Sequence, residues 1–230
     1  MPLFWKEGAI VKYEKLSGKA LKDALCLYAV TDPMWLDGRP LAQDVESALK
    51  GGVTMLQLRE KTLDDAEFIA LGQEIGALCR KYRVPFIVND NVAVALACGA
   101  DGVHIGQEDM DVSEARALIG EQRLLGVSAG SLEEAIRAEK DGADYLGVGA
   151  MYATDTKKDA DVTSIATLKA ICQRVRIPVV AIGGINSKTI PDLKGSGVDG
   201  MAVVSAIFAQ KEIERATREL KKLTMEVLNG

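Results

Sequence analysis

Two aspartates follow neighbouring apolar segments, at a spacing that indicates a shared cation site. Asp90 comes directly after the apolar run at 85–88, and Asp109 comes shortly after the run at 102–105. If these runs are adjacent parallel strands, both carboxylates lie at the same end of the sheet. They would repel each other without a cation between them, and Mg²⁺ takes such oxygen ligands together with water and phosphate. We therefore predict Mg²⁺ as a cofactor bound by Asp90 and Asp109.

Each aspartate also has a structural interpretation. Asp90 could cap a helix starting at Asn91, and Asp109 could cap a segment starting at Asp111. Taken singly, capping explains each residue as well as metal binding does; taken as a pair, they favour the metal. His104 is the only histidine and lies within an apolar run. For it we predict a hydrogen-bonded core position.

A cationic segment follows the apolar run at 54–58. Gln57, Arg59 and Lys61 alternate there, which places them on one side of an extended chain. A planar guanidinium and a compact ammonium together suit a diphosphate. A solvated charge run is the alternative. The position of the segment at a strand end, opposite the two acids, favours the diphosphate site.

Three further segments carry groups that bind phosphate. Ser128 could donate to a phosphate oxygen, or could begin the turn into a helix. The long segment at 150–161 offers Thr154, Thr156 and Lys157, with a mobile polar loop as the alternative. The segments at 183–186 and 204–206 combine glycines with Ser205, at the place where barrels commonly bind a phosphate.

Eight short apolar runs alternate with segments of helical periodicity. The runs are 25–30, 54–58, 85–88, 102–105, 124–127, 144–148, 178–182 and 199–204. Glycines at 51–53, 99–103, 142–145 and 197–200 mark helix ends before strands. This pattern predicts an α/β protein, a single (β/α)₈ TIM barrel at 25–230, after a helical N-terminal extension at 1–24. A doubly wound sheet is the alternative, but no Gly-x-Gly-x-x-Gly follows the first strand.

Composition limits the partners and the compartment. The 230 residues carry a net charge of −5 with no basic stretch, which argues against a nucleic-acid partner. No apolar run is long enough to span a membrane, and no signal-peptide pattern begins the sequence. The four cysteines are widely separated, as in a reduced protein. We predict a cytoplasmic protein, and the sequence leaves open whether it is a homo-oligomer.

The two predicted phosphate sites define a class of reaction. A metal-held diphosphate is a leaving group, so we predict group transfer between two phosphorylated small molecules. The candidate site contains no strong nucleophile, which argues against a covalent enzyme intermediate.

Seven motifs in sequence order resemble the thiamine-phosphate synthase family, over about residues 25–210. They are the segments 30–32, 57–61, 88–90, 101–109, 126–128, 154–158 and 182–185. The resemblance implies a transferase that joins a hydroxymethylpyrimidine diphosphate to a thiazole phosphate and releases pyrophosphate. It also implies a pyrimidine carbocation on the reaction path. Gly130, Ala150 and Ala153 depart from the family pattern, which usually has a polar residue at the first position and prolines near the other two.

The resemblance also implies ligands, residue by residue. By this resemblance, Asp90 and Asp109 bind Mg²⁺. The pyrimidine diphosphate falls to Gln57, Leu58, Arg59, Glu60, Lys61, Asn89, Ser128 and Lys157. The thiazole phosphate falls to Thr154, Asp155, Thr156, Gly184, Val204 and Ser205. Arg59, Lys61, Ser128 and Lys157 are the catalytic candidates.

Two other functions compete with this interpretation. A thiazole tautomerase of the same superfamily should not need the full set Arg59, Lys61, Asp90, Asp109 and Lys157. A non-catalytic sensor on a barrel scaffold would bind a phosphorylated ligand without Mg²⁺-dependent turnover.

Overall fold

Short apolar segments form eight parallel strands that close on themselves. The computed structural model describes residues 15–36, 38–153 and 162–230. Each strand pairs with the next, and the eighth pairs with the first, so the sheet is a closed barrel. The strands are β1 (Leu27–Val30), β2 (Met55–Leu58), β3 (Phe86–Asn89), β4 (Gly102–Ile105), β5 (Leu124–Ala129), β6 (Tyr145–Val148), β7 (Val179–Ile182) and β8 (Gly200–Val203).

Helices connect the strands and surround the barrel. They are α1 (Gly18–Leu25), α2 (Leu41–Gly51), α3 (Asp65–Tyr82), α4 (Val92–Ala97), α5 (Val112–Ile119), α6 (Leu132–Lys140), α7 (Ile165–Arg174), α8 (Ser205–Phe208) and α9 (Ile213–Leu228). Short 3₁₀ turns lie at Pro33–Trp35 and Ile190–Leu193. The (β/α)₈ prediction is confirmed. Across the described ranges, none of the helices has the length and hydropathy of a membrane span.

Alternate residues of each strand belong to two different layers of the core. One set fills the barrel interior, including Tyr28, Met55, Ile87 and Tyr145. The other set, such as Leu56, packs between the barrel and the helices. Because both faces of each strand are buried, parallel strands of this kind have nearly continuous apolar sequences. This explains why apolar runs alone located every strand.

Helix α1 closes the end of the barrel where the strands begin. Its Leu21 and Leu25 are buried in the interior cluster. Lys15 and Lys22 pair with Asp144 and Asp199, each with a nitrogen–oxygen distance of 2.8 Å. Helix α1 crosses the predicted boundary at residue 24. The extension at 1–24 as a whole stays a prediction, because 1–14 lie outside the described residues.

Aspartates fix the beginnings of several strands. Asp101, which precedes β4, accepts a hydrogen bond from the Phe86 N–H at 2.8 Å. Asp144 accepts from the N–H of Leu125, the second residue of β5, at 2.9 Å, and Asp199 accepts from the N–H of Val179, the first residue of β7, at 3.0 Å. The glycine punctuation was recognised in the sequence, whereas this role of the following aspartate was missed.

Glu46 links α2 to α3 and makes acid stability testable. The Glu46 carboxylate accepts hydrogen bonds from the Lys81 ammonium at 2.7 Å and from the Tyr82 hydroxyl at 2.9 Å. These hydrogen bonds lower the pKa of Glu46 to about 2. A depressed pKa stabilises the fold above the unfolded value, and that stability is lost as pH falls from about 4.5 to about 2. We expect Glu46→Gln to lose less thermal stability than the wild type across this window. Melting temperatures measured at a series of pH values test this expectation. The same dependence of melting temperature on pH in both proteins would contradict it.

Candidate active site

The two predicted metal-binding aspartates meet at the barrel mouth, where the strands end. Asp90 follows β3 with a φ of +60°, a conformation that side chains other than glycine adopt rarely. Its N–H donates to the His104 carbonyl at 2.8 Å. Burial and the adjacent Asp90 carboxylate both raise the pKa of Asp109. The structure therefore brings the two carboxylates together, and their role in metal binding stays a prediction.

Neither aspartate caps a helix. The N-cap of α4 is Asn91, whose side chain accepts the Val94 N–H at 3.0 Å. The N-cap of α5 is Asp111, which accepts the Ser113 N–H at 2.9 Å. Asp109 instead accepts the Gly106 N–H at 2.7 Å within its own turn. The capping alternative is therefore wrong for both residues of the pair.

The predicted cations lie beside these acids. The Lys61 ammonium lies 2.5 Å from an Asp90 oxygen, and its side chain is about half exposed. The Arg59 guanidinium lies 2.6 Å from an oxygen of Asp32, a buried residue that follows β1. Asp32 also accepts the Met34 N–H at 2.9 Å, which holds the carboxylate in place for Arg59. The ends of β1 to β4 thus bring together two cations and three acids.

The other residues of the cationic segment have different surroundings. Gln57 is buried, and its Nε2 donates to the Tyr28 hydroxyl at 2.7 Å inside the barrel. Leu58 is fully buried in the layer against the helices, which leaves only its backbone to meet a ligand. Burial of Glu60 is outweighed by hydrogen bonds from Thr62 and Lys61, which lower its pKa. Gln57 is thus more buried than the two cations, and its part in ligand binding stays a prediction.

Ser128 lies at the barrel mouth and is hydrogen-bonded to polar residues buried in the barrel interior. Its Oγ lies 3.0 Å from His104 Nε2, and its carbonyl accepts from the Gln107 side chain at 2.6 Å. His104 is buried and hydrogen-bonded, as predicted. Burial lowers the pKa of His104 to about 4, so its imidazole is neutral near pH 7. Asn89 is also buried, at the end of β3.

Glycines shape the opposite side of the mouth. Gly183 and Gly184 follow β7 with φ of +91° and +67°. A Cβ at Gly184 would lie 2.6 Å from the Tyr152 Cβ, so the two loops fit only without that side chain. Val204 and Ser205 lie at the start of α8, as a phosphate site on β7 and β8 requires. Thr154, Asp155, Thr156 and Lys157, also predicted as ligands, lie outside the described residues.

Comparison with known proteins decides the family. The sequence matches the family described as thiamine monophosphate synthase over residues 27–207. A thiamine-phosphate synthase from Clostridium botulinum is 50% identical over 196 residues, which cover 85% of this chain and 92% of that protein. One from Clostridium tetani is 48% identical over 194 residues, 84% of this chain and 93% of that protein. The chain belongs to the thiamine monophosphate synthase family.

Structural comparison agrees with this membership. The solved thiamine phosphate pyrophosphorylase from Pyrococcus furiosus matches with a TM-score of 0.84 at 43% identity, over 90% of this chain and 99% of that one. As a member of the thiamine monophosphate synthase family, the chain is a transferase of thiamine biosynthesis. Its substrates are therefore small molecules.

Sequence reasoning missed several residues of this thiamine monophosphate synthase site. Asp32 holds Arg59, a role that the sequence did not indicate although 30–32 is one of the seven motifs. Tyr28 and Tyr145 are fully buried, and their hydroxyls lie 2.8 Å apart inside the barrel. They occupy ordinary apolar strand positions, so the sequence has no signal that they meet.

Proposed function

We propose that the chain couples 4-amino-2-methyl-5-hydroxymethylpyrimidine diphosphate with 4-methyl-5-(2-phosphoethyl)thiazole, or its carboxylated form. The products are thiamine phosphate and pyrophosphate, together with carbon dioxide when the carboxylated form reacts. The cluster of Lys61, Asp90 and Asp109 beside Arg59 is the observation that carries this proposal. Cations that lie next to paired carboxylates suit a diphosphate that enters with a divalent metal.

The layout of the mouth supports two separate phosphate subsites. The charged cluster lies at the ends of β2, β3 and β4, Gly183 and Gly184 follow β7, and Ser205 follows β8. In the closed ring β3 and β7 are four places apart, hence on opposite sides. We assign the pyrimidine diphosphate to the first side and the thiazole phosphate to the second. The two reacting rings then meet over the barrel axis.

The paired carboxylates fit Mg²⁺. Asp90 and Asp109 supply hard oxygen donors at one point, and among the described residues no third His, Cys, Asp or Glu completes a ligand group. Such an incomplete set leaves coordination positions for water and substrate phosphate, as Mg²⁺ prefers. When bound there, Mg²⁺ would neutralise charge on the diphosphate leaving group.

The chain's own residues stabilise charge and take no part in covalent bonding. The bond between the pyrimidine methylene carbon and the diphosphate oxygen breaks, and its electron pair leaves with pyrophosphate. The thiazole nitrogen lone pair then forms the new carbon–nitrogen bond. We assign Arg59, Lys61, Ser128 and Lys157 to the departing diphosphate, where cations and hydroxyl donors stabilise the charge that develops.

A coupling assay tests the function. Purified protein is mixed with the pyrimidine diphosphate, the thiazole phosphate and Mg²⁺, and thiamine phosphate and pyrophosphate are followed with and without chelator. Formation of both products only with metal supports the proposal. Tight binding of thiazole phosphate without coupling would overturn it in favour of the tautomerase or sensor function.

The assignment of the two subsites makes a prediction for Lys61. We expect Lys61→Ala to slow the formation and release of pyrophosphate, because the proposed diphosphate subsite loses an exposed ammonium. The affinity for thiazole phosphate should stay within about twofold, since that subsite lies across the mouth. Lys222→Ala, on the exposed face of α9, is the matched control. Loss of thiazole phosphate binding in the Lys61 variant would show that the two subsites are exchanged.

We also propose that this chemistry takes place in the cytoplasm, on free small molecules and without a nucleic-acid or membrane partner. All four cysteines are free thiols, as in a reducing compartment. The acidic net charge of −5 supports the absence of a nucleic-acid partner.

A further inference from the structure

A continuous chain of hydrogen bonds runs through the barrel interior to the mouth. Gln57 Nε2 donates to the Tyr28 hydroxyl at 2.7 Å, and that hydroxyl lies 2.8 Å from the Tyr145 hydroxyl. The Tyr145 hydroxyl lies 3.3 Å from His104 Nδ1. On the other side of the ring, His104 Nε2 lies 3.0 Å from Ser128 Oγ. Four contacts therefore connect five side chains from β1, β2, β4, β5 and β6.

The barrel is built around this chain. His104, Gly126 and Tyr145 are register partners on β4, β5 and β6, so the two rings flank an inward-facing glycine. A Cβ at Gly126 would overlap both the Tyr145 hydroxyl and His104 Nδ1. A Cβ at Gly147 would lie 3.1 Å from the His104 ring. Gly126 and Gly147 thus leave the space in which the His104 ring and the Tyr145 hydroxyl meet.

The chain of hydrogen bonds has a direction from donor to acceptor. An amide nitrogen can only donate, so the Tyr28 hydroxyl accepts from Gln57. The buried hydrogen of Tyr28 itself needs an acceptor, and among its contacts in the described residues the Tyr145 hydroxyl is the group that can accept it. The Tyr145 hydrogen in turn points to His104 Nδ1. Nδ1 accepts this hydrogen, and an imidazole carries a hydrogen on at least one of its two nitrogens. His104 therefore carries its hydrogen on Nε2 and donates it to Ser128.

We propose that Tyr28, Tyr145 and His104 are positioning residues that hold the Ser128 hydroxyl as a hydrogen-bond donor facing the mouth. The oxygen of Ser128 accepts from His104, so its own hydrogen points away from the ring towards an incoming oxyanion. A hydroxyl fixed in this way binds an anionic oxygen without rotating first, which is the arrangement that stabilises developing charge. That this oxyanion is a diphosphate oxygen rests on the function proposed above.

Nuclear magnetic resonance of the ligand-free protein tests the direction, because His104 is the only histidine. Long-range proton–nitrogen correlation spectra of nitrogen-15-labelled protein distinguish the two tautomers of a single ring without ambiguity. We expect Nε2 in the protonated, pyrrole-like range and Nδ1 in the unprotonated, pyridine-like range. The opposite assignment would overturn the proposal, because the Ser128 hydrogen would then point back at His104.

Substitutions test whether the tyrosines impose this state. Tyr145→Phe removes the donor to His104 Nδ1, and we expect the ring signals to shift towards the other tautomer. Tyr28→Phe removes the hydrogen bond between Tyr28 and Tyr145, and it provides the same test if Tyr145→Phe does not fold. Tyr82→Phe removes the same hydroxyl from the outer surface and should leave the ring signals unchanged. Wild-type ring signals in a folded Tyr145→Phe or Tyr28→Phe protein would contradict the proposal.

Kinetics separate positioning from a merely structural role. We expect Tyr145→Phe to lower kcat by roughly tenfold, the scale of a hydrogen bond to a charged group, with the KM for thiazole phosphate unchanged. Ser128→Ala should lower kcat at least as much, and the double variant should lose no more than Ser128→Ala alone. Additive losses would contradict the proposal. If the protein couples no substrates at all, the proposed function fails, while the ring signals still decide the direction of the chain.

Discussion

Asp90→Asn is expected to lower turnover by roughly a hundredfold or more and to raise the Mg²⁺ concentration needed for half-maximal rate. Asp90 lies between the Lys61 ammonium and Asp109, so its loss removes one of two carboxylates at the predicted metal site. Metal stabilisation of a leaving group contributes several kcal/mol, and each 1.4 kcal/mol is about tenfold in rate.

Asparagine is the substitution of choice because of the backbone. Asp90 has a φ of +60°, and asparagine tolerates this conformation better than most other side chains, whereas alanine would add strain. The Asp90→Asn variant therefore changes charge with little change in fold. Asp111→Asn is the matched control: Asp111 caps α5 two positions after Asp109, and asparagine caps equally well.

Two measurements together check this prediction. Initial rates over a range of Mg²⁺ concentrations give the metal dependence, and calorimetric titration of Mg²⁺ in the presence of the diphosphate gives binding independently of turnover. Normal Mg²⁺ binding in Asp90→Asn would exclude Asp90 as a ligand. An equal loss of activity in Asp111→Asn would mean that any charge change in this loop impairs the enzyme.

The strands could be predicted closely from sequence, because each is buried on both faces and is therefore an apolar run. The predicted run at 102–105 is β4 without change, and the run at 25–30 is β1 with two extra residues at its start. The difference arises because Leu25 is the last residue of α1 and is itself buried. An apolar pattern alone does not separate the end of a buried helix from the start of a buried strand.

The charged residues of the site could be predicted because they follow strands directly. Arg59, Lys61, Asp90 and Asp109 all lie at the mouth, as the positions of the strand ends required. Their partners could not be predicted in the same way. Tyr28 and Tyr145 are 117 positions apart in sequence, and only the closure of the barrel brings their hydroxyls together.

The alternation along β2 agrees with the surroundings of these side chains. Leu56 and Leu58 pack against the helices, whereas Gln57 faces the interior beside Tyr28 and Arg59 pairs with Asp32, which comes four positions after Tyr28. The sequence could not show that Gln57 is hydrogen-bonded to Tyr28, because only the pairing of β1 with β2 brings the two side chains together.

Gly126→Ala is expected to lower the free energy of unfolding by about 3 kcal/mol or more, near or above the upper end of what overpacking a core usually costs. The added Cβ would overlap the end of the Tyr145 side chain and His104 Nδ1. Both rings are buried within the closed barrel, so neither can move outward to make room. Relief would require one ring to leave its hydrogen bond, which leaves a buried polar group unpaired.

Gly130→Ala, four positions further along the chain, is the matched control. Gly130 does not have a positive φ, and a Cβ there would have its nearest neighbour, Glu134 Oε2, at 3.7 Å. Because alanine restricts the unfolded chain more than glycine does, this variant should be within about 0.5 kcal/mol of the wild type or slightly more stable. Urea unfolding of the three proteins measures the difference. If Gly126→Ala unfolded like Gly130→Ala, the interior rings would have to be mobile, and the fixed polar chain from Gln57 to Ser128 could not exist as described.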